Sequence, residues 1–73
     1  MNSRVHSIKM QNEEGEEFLW YGITVVSGNE LLLQIDDLSE EEVSVLELSD
    51  AINALQPEAV HLADIIDDFL NRE

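Results

Sequence analysis

The chain contains no cysteine, which removes a disulfide framework, a thiolate zinc site and a cysteine nucleophile at once. Cations are almost as scarce. Arg4, Lys9 and Arg72 are the only basic side chains, so the stretch from Met10 to Asn71 holds 16 of the 17 acids and nothing to neutralise them. Direct binding to DNA, RNA or an anionic membrane needs a cationic patch, and this composition does not supply one. Glycine is limited to positions 15, 22 and 28, a spacing that makes no phosphate loop. No apolar run approaches the roughly 20 residues that span a bilayer. The opening MNSRVHSIKM also lacks the continuous apolar core of a signal peptide, so a cytoplasmic location is expected.

What is present is a packed core's worth of apolar residues. Hydrophobic side chains make up 44% of the 73 residues, enough to favour folding despite a net charge of -14. A chain of this size buries only about 60% of the surface its unfolded form exposes, so residues 1–73 are expected to form a single acidic domain. A pocket deep enough for catalysis would take its lining from that one core. The expectation is therefore a binding protein rather than an enzyme, with no cofactor and no metal.

Periodicity outlines an α+β domain: a small antiparallel sheet of three or four strands followed by one or two C-terminal helices. Residues 4–10 alternate as a strand, and NEEG at 12–15 supplies a turn. Residues 17–26 form the longest apolar stretch and the expected central strand. Phe18, Trp20, Gly22, Thr24 and Val26 fall on one of its faces, and Leu19, Tyr21, Ile23 and Val25 on the other. Ser27, Gly28 and Asn29 then reverse the chain into a third strand at 30–35.

Residues 39–56 admit two readings. In one, Ser39 caps a helix with Glu42 completing a capping box, and Val45, Leu48, Ile52 and Leu55 form a helical stripe. In the other, residues 42–48 are a fourth strand and Ser49 caps a shorter helix over 49–56. Val43, Ser44 and Val45 tip the reading toward the strand, because β-branched residues and Ser are poor helix-interior choices. A last helix over 57–71 starts at Pro57 and turns Leu62, Ile65, Ile66 and Phe69 inward, with His61, Asp64 and Asp68 outside.

The acids form three groups: Glu13, Glu14, Glu16 and Glu17 around the first turn; Asp36, Asp37, Glu40, Glu41 and Glu42 in the middle; Asp64, Asp67 and Asp68 on the last helix. Neither of the first two groups has the alternating oxygen ligands and central Gly of a calcium loop. Glu58 and His61 make one E-x-x-H pair, half of what a di-iron bundle requires. His6 reads as a packed or exposed histidine, and no spacing of Ser39, Ser44, Ser49 and the two histidines singles out a nucleophile. Among the grouped aromatics Phe18, Trp20 and Tyr21, an apolar contact to a partner is expected of Trp20 and Tyr21, with Tyr21 the most exposed.

Rows of carboxylates uninterrupted by cations imitate the charge density of duplex DNA, about one charge per 1.7 Å of axis. In size and charge, though not by motif, the chain resembles the small acidic inhibitors that phages and mobile elements direct at host nucleic-acid enzymes. That resemblance implies a DNA mimic or regulator docking on the basic groove of a nucleic-acid-handling protein, and it transfers no residue roles. The alternative expectation is a homodimer or accessory subunit with an apolar strand or helix interface, its charge serving solubility. Crowding of the carboxylates is also expected to raise their pKa values.

Overall fold

A computed structural model describes residues 1–72. It shows a three-strand antiparallel sheet followed by two C-terminal helices. The strands β1 (Asn2–Gln11), β2 (Glu17–Ser27) and β3 (Glu30–Ser39) lie in the order β1-β2-β3, so the apolar segment is the central strand. Local chemistry sets both hairpins. Asn12 Oδ1 accepts the backbone N–H groups of Glu14 (2.9 Å) and Glu16 (3.0 Å), and Gly15 takes a φ of 83°. In the second hairpin only Gly28 and Asn29 separate the paired Ser27 and Glu30. Gly28 has a φ of 59°, the arrangement of a two-residue turn with Gly leading.

Ile23 and Val25 of β2 are fully buried, with Val5, Tyr21, Leu33 and Ile35 beside them on the covered side of the sheet. Helix α1 (Glu42–Leu55) adds buried Val45, Leu48, Ser49 and Ile52, and the last helix adds Leu62, Ile66 and Phe69. Helix α1 corrects the strand expected at 42–48 and the short helix at 49–56: one helix covers both. The magnitudes explain the outcome. Val43, Ser44 and Val45 in a helix cost a few tenths of a kcal/mol each relative to better formers, about 1–2 kcal/mol together. Burying Val45, Leu48 and Ile52 on a single face returns about 1.5–3 kcal/mol apiece. A strand would have aligned Val45 with the carboxylate of Glu47, whereas helical spacing keeps that carboxylate off the buried stripe.

The expected caps are also revised. Ser39 Oγ accepts the N–H of Glu41 at 3.0 Å, closing the corner between β3 and α1, while Glu41 itself is the extended residue that precedes the helix. Ser49 lies inside α1, where its hydroxyl and that of Ser3 share a buried hydrogen bond of 2.8 Å. Asn53 completes the tie to β1: Ser3 N–H donates to Asn53 Oδ1 at 2.7 Å, and Asn53 Nδ2 donates to Ser3 O at 3.1 Å. Helix α1 ends at Gln56 in the left-handed conformation, its N–H bonded to Ile52 O at 3.0 Å.

The last helix is shorter than the expected 57–71. Glu58 is extended, Ala59–His61 wind as one 3-10 turn closed by His61 N–H to Glu58 O at 2.9 Å, and α2 runs over Leu62–Arg72. Pro57 therefore precedes the helix rather than opening it. Leu62, Ile66 and Phe69 are buried and Ile65 is half-buried, as the amphipathic pattern requires. No helix among the described residues is long and apolar enough to cross a membrane.

One glycine carries the larger of two register shifts between β2 and β3; the other shift leaves Leu32 unpaired opposite Val25 and Val26. Tyr21 pairs with Ser39 and Ile23 with Ile35, so Gly22 alone faces the three residues Asp36, Asp37 and Leu38. A Cβ on Gly22 would lie 2.0 Å from the Ile35 carbonyl oxygen and 2.7 Å from Asp36 Cα. The missing side chain is what lets β3 fold across β2 and send Leu38 into the core.

Candidate partner-binding surface

A concavity of about 1040 Å³ forms a groove between α1 and α2. From α1 it takes Leu48 and Ile52 of the buried stripe and the exposed Ala51 and Leu55 beside them, positions three and four apart. From α2 it takes Ile65 and Phe69. Past the Gly22 crossing, β1 and β2 continue beyond the end of β3, and Trp20 of that extension lines the groove, as does Leu38 of β3.

Five carboxylates edge these apolar side chains: Glu40, Glu41 and Glu47 on one side, Asp64 and Asp68 on the other. Arg72 is the single Lys or Arg in the lining and is hydrogen-bonded to Asp68, so the described residues of the groove carry a formal net charge of -4 with His61 neutral. Glu41 also accepts the Ser44 hydroxyl at 3.0 Å, which holds its carboxylate beside the first turn of α1.

Four of the twelve acids selected from the sequence thus meet at one place: Glu40, Glu41, Asp64 and Asp68. Glu42 and Asp67 are exposed on the same helices but do not line the groove. Glu13, Glu14, Glu16 and Glu17 are carried on the β1–β2 hairpin instead, where Lys9 pairs with Glu17 at 3.3 Å. Asp36 and Asp37 sit at the β3 crossing. Of the two aromatics, Trp20 is half-buried in the groove wall, whereas Tyr21 packs against the core and is the less suited to an outside contact. Sequence reasoning passed over Glu47 and Ala51 and took Leu55 and Ile65 for core positions only. The helical reading of 42–55 would have found the α1 members, since they follow Ser44 and Leu48 at spacings of three and four.

A second polar cluster spans the sheet on its uncovered face. His6 on β1 reaches over Gly22 to Asp36 on β3, with Nε2 to Oδ1 at 2.8 Å. Gln34 Nε2 donates to the same oxygen at 3.3 Å, and the Thr24 hydroxyl lies 3.4 Å from His6 Nδ1. Hydrogen bonds from His6 first and Gln34 second hold the Asp36 carboxyl below its ordinary value of 3.8, the reverse of the rise expected from crowding. Thr24, His6 and Asp36 follow one another as a nucleophile, base and carboxylate would. Here, however, Thr24 is paired on both sides within the sheet, so its backbone N–H is not free for an oxyanion. The cluster fastens the two outer strands across the glycine.

Among the described residues no group of three or more His, Asp or Glu side chains is placed to hold a metal ion. Glu58 and His61 meet only through their backbone hydrogen bond in the 3-10 turn. Comparison with protein-family models, curated proteins and solved structures gives no match.

Proposed function

We propose that this chain is an acidic protein-binding module that docks its carboxylate surface on the basic, nucleic-acid-binding groove of a partner and so inhibits or regulates it. The observation that carries this reading is the α1–α2 groove, where five carboxylates surround an apolar floor and the only guanidinium is already paired. Carboxylates of this density steer a cationic partner into encounter, and the apolar floor supplies the contact that slows its release. The test is affinity capture from cells that express the protein, with elution by a salt gradient. Recovery of nucleic-acid-binding proteins that duplex DNA displaces supports the reading. Retention indifferent to both salt and DNA removes it.

A second reading, a homodimer or accessory subunit, is favoured by a different observation. On β1 and β2 the uncovered face of the sheet presents half-buried Ile8 and Val26 together with Met10, 37% exposed. Sedimentation of the pure protein separates the two: a stable dimer at micromolar concentration supports the second reading, and a monomer leaves the first.

A further inference from the structure

We infer that the occupant of the α1–α2 groove is an amphipathic α-helix with basic flanks, contributed by the partner. The inference rests on the acidic docking proposed above and names the part of the partner that this site takes.

Three properties of the groove select that occupant. At about 1040 Å³ it lies at the upper end of the roughly 300–1,000 Å³ typical of small-molecule pockets, and it is open to solvent between two helices, a shape that suits a polypeptide segment. Its apolar lining includes Leu48, Ala51, Ile52, Leu55, Ile65 and Phe69, side chains that offer no hydrogen bonds, and the uncharged polar side chains beside them are few: Ser39, Ser44 and His61. An extended segment laid there would desolvate backbone N–H and C=O groups without satisfying them, whereas a helix satisfies its own. The carboxylate edges select the charge. Lysines or arginines flanking the segment's apolar stripe would meet Glu40, Glu41 and Glu47 on one side and Asp64 on the other. A second copy of this chain is disfavoured in the groove, because it would bring one net charge of -14 against another.

Trp20 is the only tryptophan and borders the groove, so its emission reports occupancy directly. The probe is a synthetic leucine–lysine amphipathic helix of the same 14-residue length as α1. Its control is a lysine–glycine–serine peptide of equal length and charge. At moderate salt the amphipathic peptide is expected to bind at least about tenfold more tightly than the control and to shift Trp20 emission, which the control leaves unchanged. Ala51→Arg, an exposed change that puts a bulky cation into the groove, is expected to weaken the amphipathic peptide about tenfold or more. Leu31→Gln, outside the groove and exposed, should leave binding intact.

If both peptides bind equally, with steep salt dependence and no Trp20 response, the helix-in-groove inference falls while acidic docking stands. Binding of neither peptide, together with salt-insensitive capture from cells, overturns both. A dimer that Ala51→Arg dissociates would show the groove filled by a second copy, and would overturn the inference as well.

Discussion

Gly22→Ala should be the most damaging of the three glycine-to-alanine changes in this protein. The added Cβ would lie 2.0 Å from Ile35 O, 2.7 Å from Asp36 Cα and 2.8 Å from Asp36 C, all backbone atoms that no rotamer change can move aside. Restoring an ordinary contact of 3.4 Å at the first of these displaces β3 by about 1.4 Å, the difference between the two distances. That displacement weakens the Ile23–Ile35 pairing, worth about 1 kcal/mol per hydrogen bond. It also draws the buried Leu38 toward solvent, a loss of about 1–2 kcal/mol. The contact from His6 to Asp36 is stretched too. With one or two such bonds weakened, the sum is about 2–4 kcal/mol, set against the roughly 4–11 kcal/mol that 0.05–0.15 kcal/mol per residue gives a 73-residue chain. Urea unfolding followed by circular dichroism and Trp20 fluorescence measures the change. Gly15→Ala and Gly28→Ala are the comparison, because both glycines have positive φ but nothing within 4 Å of an added Cβ. Each should cost about 1–2 kcal/mol. A Gly22→Ala variant within about 0.5 kcal/mol of the parent, or milder than the two turn variants, would refute the crossing argument.

Ser49→Ala should cost about 1–3 kcal/mol because it leaves the buried Ser3 hydroxyl without its partner, and the Ser3→Ala/Ser49→Ala double variant should cost less than the sum of the singles; additive values in a double-mutant cycle would show the pair uncoupled. Val43 is 65% exposed within α1, so Val43→Ala should raise stability by about 0.5 kcal/mol, and a loss of that size in the same unfolding assay would argue against helix at this position. Asp36 titrates below its ordinary 3.8 in the fold, so its contribution is complete above the unfolded value and is lost as pH falls through the lower folded one. The gap in Tm between the parent and Asp36→Ala should therefore be widest above about pH 4 and shrink in more acidic solution; a gap independent of pH, or one growing toward acid, contradicts the His6 and Gln34 hydrogen bonds to that carboxylate.

Much of the sheet was readable because its signals are local. The alternation of Tyr21, Ile23 and Val25, and glycines at the two tight turns, specify strands and hairpins without reference to anything distant. The stripe Leu62, Ile66 and Phe69 specifies α2 by the same kind of argument. Residues 42–48 were misread because β-branched propensity and helical spacing oppose each other there, and the deciding quantity, a sheet face for Val45, Leu48 and Ile52 to cover, is not local. The binding groove was half-visible. Its carboxylates stood out as a cation-free run, but the apolar floor came from α1 positions that only the helical reading aligns.

By itself the sequence determined the character of this protein: its heavy negative charge, one antiparallel sheet with an apolar centre, and a C-terminal amphipathic helix, all of which follow from composition and short-range periodicity. Tertiary structure alone decided which acids share a surface and why Gly22 has no substitute. Both depend on where separate elements come together. Helices α1 and α2 bring Glu40, Glu41 and Glu47 opposite Asp64 and Asp68, and the backbone of β3 passes within a bond's reach of a side chain that Gly22 does not have.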